Sequence, residues 1–247
     1  MITINGLEQG WYTVKETVAP NGYALNSNVQ NVEVKSDKYT QVVFENDKLG
    51  SIRLKKIDYV TRKPIPNVKF KFTKENGENV GEFTTDKLGE INLINKLEPT
   101  TYLIEEMAVP QGYALDKGVR KVKIDVGTET MVEWENYPLA TLDLLKIDER
   151  TKKPISGVEF ELLNAKKQSM GKFITDKDGR IYLESKLAQE TYYIKETKAK
   201  DGYIKNDGEK MVELKWGKTT KVDFVNTPIF GQIEIHKIGS KNNQITG

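Results

Sequence analysis

The chain has 247 residues, with 38 lysines and arginines against 36 aspartates and glutamates, one histidine and no cysteine. A net charge of +2 with both signs interspersed excludes the one-sided basic face of a nucleic-acid binder. The lack of cysteine excludes a disulfide framework and a cysteine-based metal site, so stability outside a cell needs another device.

No apolar run reaches the length of a transmembrane helix, and the first residues lack the basic and apolar regions of a signal peptide. Short alternating runs of Val, Ile, Phe, Tyr and Thr are separated by turns such as Asn76-Gly77 and Asp178-Gly179. They predict strands throughout, and no window carries a capped helical stripe. In chain order, the first marked element is ETVAPNGY from Glu16, followed by VVFEND with Asn46. IRLKKID with Lys56, EMAVPQGY from Glu106 and VEWENY with Asn136 come next. LDLLKID with Lys146, ETKAKDGY from Glu196 and VDFVNT with Asn226 follow, and the chain closes on IEIHKIG with Lys237. Each element recurs after 90 residues, save for a step of 91 between Lys146 and Lys237. A period of one domain's length predicts separate domains, each with its own core.

The phase of the repeat sets the expected boundaries. Residues 1–48 are the C-terminal half of a first domain, 49–138 and 139–228 are complete domains, and 229–247 hold the first strand of a further one. The chain thus reads as a segment of a longer protein. About seven strands per unit fit a Greek-key β-sandwich. The short junctions Tyr137-Pro138 and Thr227-Pro228 predict a stiff rod of all-β domains.

Successive side chains of a strand point to opposite faces. Ile52, Leu54 and Lys56 therefore share the core face, as do Leu142, Leu144 and Lys146. Tyr102, Ile104 and Glu106 are in phase, as are Tyr192, Ile194 and Glu196. Val132, Trp134 and Asn136 repeat the pattern, with Val222, Phe224 and Asn226. Each complete unit thus sends one Lys, one Glu and one Asn into its interior. A desolvated lysine tends to shed its proton and become a nucleophile. A buried carboxylic acid can hydrogen-bond an Asn amide and carry a proton to departing ammonia. Amine attack on Asn Cγ then leaves a Lys–Asn amide in a single turnover. The bland alternative is a buried Lys–Glu ion pair with an Asn hydrogen bond and no covalent chemistry.

The ETVAPNGY-type box, the KID strand and the terminal F-x-N-x-P strand resemble the collagen-adhesin B-type (Cna-B-like) repeats of Gram-positive surface proteins and pilins. The resemblance spans essentially the whole chain. It implies a prealbumin-like, Ig-like sandwich with an isopeptide bond between first and last strands. Carried onto this sequence, it pairs Lys56 with Asn136 and Lys146 with Asn226, assisted by Glu106 and Glu196. Glu16, Asn46 and Lys237 belong to incomplete sets. Lys200 stands where Pro20 and Pro110 occur in the other boxes, and Glu105 is a neighbour of Glu106 that alternation disfavours. Tyr137-Pro138-Leu139 lacks the lysine of the Y-P-K motif through which such pilins polymerise.

Other signals are weaker. Asp176-Lys177-Asp178-Gly179 resembles part of a calcium loop but lacks the later bidentate Glu, so a hairpin turn is expected, with no metal and no cofactor. His236 is expected at the surface, and Trp11, Trp134 and Trp216 in core or edge packing. The sequence therefore predicts a non-enzymatic stalk or spacer of a cell-wall-anchored, extracellular adhesin, stabilised by self-formed cross-links. A host-ligand-binding adhesin module or a minor pilin subunit is the alternative. The expected partners are neighbouring repeat domains, and host extracellular matrix through other parts of the full protein. No nucleic-acid contact and no membrane insertion are expected of this segment.

Overall fold

The computed structural model describes residues 2–236. Among these, every regular element is a β-strand, as the alternating pattern requires. The residues fall into two compact units divided between Pro138 and Leu139.

In the first unit, β1 (Gly10–Lys15) and β2 (Val29–Val34) form a two-stranded antiparallel sheet. Seven further strands follow: β3 (Gly50–Asp58), β4 (Lys69–Lys74), β5 (Asn79–Thr84), β6 (Glu90–Leu97), β7 (Thr101–Ala108), β8 (Val119–Lys123) and β9 (Glu129–Asn136). They make a three-stranded sheet in the order β6-β3-β9 and a four-stranded sheet in the order β5-β4-β7-β8. The core lies between the two sheets. Ile52 and Leu54, Ile91 and Leu93, and Trp134 pack there with Phe70, Phe72, Tyr102 and Ile104. The Phe70 and Trp134 rings meet edge-on at 5.0 Å, a favoured aromatic geometry.

The second unit repeats this plan with β10 (Ala140–Asp148), β11 (Glu159–Leu163), β12 (Ser169–Ile174), β13 (Arg180–Leu187), β14 (Thr191–Lys198), β15 (Glu209–Glu213) and β16 (Thr219–Asn226). Its sheets run β13-β10-β16 and β12-β11-β14-β15. The architecture is the all-β tandem sandwich expected, with seven strands in each complete repeat.

The strand pairing adds a feature that periodicity does not reveal. β3 pairs with β9 in parallel, with Lys56 opposite Trp134 and Asp58 opposite Asn136. β10 and β16 pair likewise, with Lys146 opposite Phe224 and Asp148 opposite Asn226. Parallel neighbours need a long crossover connection, and here the rest of the domain serves as that connection.

Two expectations are corrected. The stretch ending at Asn46 forms no strand, although its sequence matches β9. β9 takes its ladder from β3 alone, and no described strand precedes Gly10 to play that part. Trp11 is 73% exposed rather than packed. It lies on the outward face of β1, at the position that Thr101 occupies in the next repeat. Trp134 is fully buried, and Trp216 is half-buried.

Candidate functional site

Lys56 and Lys146 continue apolar stripes of β3 and β10 into the core and are 0% exposed, as fully buried as the leucines two residues before them. Glu106 and Glu196 stand on β7 and β14 opposite Phe70 and Phe160 of the adjacent strands. Asn136 and Asn226 are the last residues of β9 and β16. The structure therefore brings each Lys, Glu and Asn together in one buried cluster per complete repeat. Glu105 points the other way, half-exposed and 3.6 Å from Lys71.

In the 139–228 repeat the three side chains close a triangle. Lys146 Nζ donates to Glu196 Oε2 at 2.8 Å and to Asn226 Oδ1 at 2.5 Å. Asn226 Nδ2 donates to Glu196 Oε1 at 2.7 Å. In the 49–138 repeat, Lys56 Nζ pairs with Glu106 Oε1 at 2.8 Å, and it donates to the Glu135 carbonyl at 3.1 Å. Asn136 Nδ2 donates to Glu106 Oε2 at 3.0 Å and to the Ala114 carbonyl at 3.1 Å. Asn136 Oδ1 is buried there without a hydrogen-bond partner, and Glu106 Oε1 has only the Lys56 ammonium beside it.

Aromatic rings wall both lysines. Lys56 Nζ is 5.7 Å from the Phe70 ring and 5.3 Å from that of Trp134; Lys146 Nζ is 5.6 Å from Phe160 and 5.8 Å from Phe224. Burial pushes the Lys56 ammonium down to about 8, against the opposing pull of Glu106. Burial likewise lowers Lys146, opposed by Glu196. Both shifts favour the neutral amine that a nucleophile needs. A cavity of about 380 Å³ reaches Asn136, lined among others by Ala114, Asp116, Arg120 and Tyr137.

Glu16 and Asn46 also meet, half-buried, with Asn46 Nδ2 2.6 Å from Glu16 Oε2 and 2.9 Å from the Ala24 carbonyl. The acid–amide pair is thus assembled as in the complete repeats, with no described lysine beside it. Lys237 lies outside the described residues. His236 is exposed, 3.1 Å from Glu234. Asp176 spends its carboxylate on its own turn, accepting from the N–H groups of Asp178 and Arg180 at 2.9 and 2.8 Å.

The prealbumin-like fold domain family (SpaA) matches residues 1–48, 50–138 and 140–228. The chain belongs to this family. Its domains are of the type found in Gram-positive surface adhesins and pilins, a structural rather than an enzymatic family. A collagen adhesin of Staphylococcus aureus is 31% identical over 115 residues, which are 44% of this chain and 9% of that protein. The chain therefore spans under a tenth of that curated relative. Among solved structures, the Bacillus anthracis TIE protein is 26% identical, covering 89% of this chain and 42% of that one at a TM-score of 0.41. The shaft pilin SpaA from Lactobacillus rhamnosus GG is 16% identical, covering 74% and 99% at a TM-score of 0.45.

Two further groups of site residues in this prealbumin-like chain escape a reading by alternation. Gly89 and Gly179 let a turn press on the lysine backbone. Lys56 N–H donates to the Gly89 carbonyl at 2.7 Å, and a Cβ on Gly89 would stand 2.6 Å from the Lys56 carbonyl oxygen. Its φ of +71° also favours glycine. Asp58 and Asp148 are buried and accept from the hydroxyls of Tyr113 and Tyr203, both at 2.9 Å. Burial opposes ionisation of Asp58, but hydrogen bonds from Thr61 and Tyr113 outweigh it and hold the carboxylate below its ordinary range. Burial and Asp58 push the Tyr113 phenol up to about 12. The signal in the sequence is the recurrence of D-K-x-G, K-I-D and G-Y at the same 90-residue step.

Proposed function

We propose that this chain is a stalk or spacer segment of a cell-wall-associated surface adhesin, and that its 49–138 and 139–228 domains each seal themselves with a Lys–Asn isopeptide bond. The observation that carries the reading is the closed, buried triangle of Lys146, Glu196 and Asn226. Transfer of one proton from the ammonium to the neighbouring carboxylate yields a neutral amine and a neutral acid, the two forms the reaction needs. The Nζ lone pair attacks Cγ of the asparagine, and the glutamic acid stabilises the developing oxyanion. The glutamic acid then protonates Nδ2 while its carboxylate form takes up the surplus proton on Nζ. The Cγ–Nδ2 bond breaks and one neutral ammonia leaves, so the proton first taken from the ammonium stays on the glutamate, which ends as a neutral acid beside the new amide. In the 49–138 domain the cavity at Asn136 offers ammonia a way out. Holding the partners as neighbours in a folded core supplies most of the acceleration.

The parallel pairing gives the bond a mechanical role. Tension entering at Gly50 runs along β3 to Lys56, crosses the bond and leaves at Asn136, so the intervening chain is bypassed. Host-matrix contact, of the kind named for the Staphylococcus aureus relative, is assigned to other parts of the full protein. Display outside the cell and anchoring to the wall complete the proposal.

Intact-mass measurement tests the chemistry. Folded protein should be lighter than its sequence mass by two ammonia molecules, and a tryptic map should hold branched peptides joining Lys56 to Asn136 and Lys146 to Asn226. An unmodified mass in folded protein refutes the covalent reading.

A further inference from the structure

Beyond the three reacting side chains, one loop touches the elements that carry all of them. Residues 113–116 follow the box of β7. Asp116 N–H donates to Glu106 Oε2 at 2.8 Å, and the Ala114 carbonyl accepts from Asn136 Nδ2 at 3.1 Å. Ala114 N–H donates to the Tyr137 carbonyl at 2.9 Å. In the first repeat the same acid and amide contacts are present, with no lysine strand beside them among the described residues. Asn26 N–H donates to Glu16 Oε2 at 2.8 Å, and the Ala24 carbonyl accepts from Asn46 at 2.9 Å. The loop's tie to the lysine strand is a separate contact, from Tyr113 Oη to Asp58 Oδ2. Asp58 lies two residues beyond Lys56 on the same core face, opposite Asn136 in the parallel ladder. Its other oxygen accepts from the N–H groups of Val60 and Thr61 at 2.8 and 2.7 Å, which fixes the carboxylate at the strand end. The second domain repeats the arrangement, with Asp148 held by the N–H groups of Arg150 and Thr151 at 2.8 and 2.7 Å and by Tyr203.

We propose that the Asp58–Tyr113 and Asp148–Tyr203 hydrogen bonds are latches that position the lysine strand against the preassembled glutamate–asparagine pair, making these four positioning residues for cross-link formation. The inference rests on the self-cross-linking reading. The latch touches none of the reacting atoms. It acts through β3 or β10, setting how far along the ladder the lysine reaches. Misplacement of reacting groups by about 1 Å can cost on the order of a hundred-fold in rate, so loss of one hydroxyl can show clearly in kinetics.

The full chain, made by cell-free synthesis, is sampled over time into acidic denaturant, and each branched peptide is quantified. Tyr113→Phe and Asp58→Ala should each slow the Lys56–Asn136 bond by about ten-fold or more, leaving Lys146–Asn226 at the parental rate in the same molecules. Asp58→Asn should stay near the parental rate. Its one oxygen can serve the two backbone N–H groups while its amide donates to the tyrosine oxygen, restoring the latch with reversed polarity. Tyr203→Phe should reverse the pattern between domains. A parental rate in Tyr113→Phe overturns the proposal. So does an Asp58→Asn chain as slow as Asp58→Ala, which assigns the effect to charge. Loss of hydrogen-exchange protection across β3 and β9 in Tyr113→Phe also overturns it, by assigning the slowing to unfolding. Failure of the parent to form either bond is a different result and refutes the cross-linking reading itself.

Discussion

Replacing Lys56 by Met removes the amine while keeping a side chain of similar length between Phe70 and Trp134, so its effect on stability measures the cross-link. The proposed bond would close a loop from residue 56 to residue 136. In the chain-entropy account of cross-links, closing about 80 residues stabilises by about 4.5 kcal/mol. A domain of about 90 residues unfolds with an entropy of about 0.19 kcal/mol/K near its midpoint, at about 2.1 cal/mol/K per residue. The quotient predicts a midpoint about 24 °C lower for the affected domain. Lys56→Met also leaves Glu106 buried with only N–H donors, those of Asp116 and Asn136, and an unpaired buried charge adds its own cost. The double variant Lys56→Met/Glu106→Gln removes that charge and can offer an N–H to the unpartnered Asn136 Oδ1, so it isolates the loop term. Calorimetry on parent and variants reads the shift, with the 139–228 domain as an internal reference and intact mass confirming one bond lost. A double variant melting within about 5 °C of a parent whose mass shows both bonds refutes loop closure as the source of stability.

The other predictions concern charge and force. Asn136→Leu keeps Lys56 and Glu106 but offers no amide to attack. Burial lowers Lys56 from 10.5 to about 8 in the parent fold, and Asn136→Leu keeps the burial and the neighbouring charges that set this value. Between those values the unfolded chain binds more protons, so stability rises with pH across that window and is lowest below it. The gain is at most on the order of 3 kcal/mol, read by denaturant titration against Asn136→Leu/Lys56→Met, which should lack it; equal pH dependence in both refutes the assignment. In single-molecule pulling, the parent should release no chain from between Lys56 and Asn136, whereas Lys56→Met should release about 270 Å from that domain. Equal contour lengths would show that the bond bears no load.

The site was legible because burial and alternation conflict with residue type. Lys56 and Lys146 fall on the same face as leucine and isoleucine, and a strand cannot turn one residue outward without turning the whole set. Glu106 was separable from Glu105 on the same ground, and the structure places them on opposite faces. The parallel pairing of β3 with β9 was not legible, because alternation reports which face a residue takes and not which strand lies beside it. The buried aspartates were missed for a related reason. Asp58 is the last residue of β3, and its partner is a tyrosine 55 positions away. Trp11 was misjudged because its residue type suggests packing, whereas its outward position on β1 decides exposure.

A buried lysine–glutamate pair is often no more stabilising than apolar residues of the same volume, so its presence at two equivalent sites calls for a reason beyond stability. Charge compensation alone requires only the two ionised groups. It does not require the asparagine buried at the end of each last strand, and in the 49–138 domain it leaves Asn136 Oδ1 without a hydrogen-bond partner, at a cost of about 1–3 kcal/mol. Amide formation changes the account. It removes the ammonium charge from the core, expels a small neutral molecule, and leaves one N–H on the former Nζ to donate to a neighbouring carboxyl oxygen. The acid that handled the protons remains as the hydrogen-bonding partner of the new bond. All three side chains then have a role, in a chain without a single cysteine to supply a covalent tie by other means.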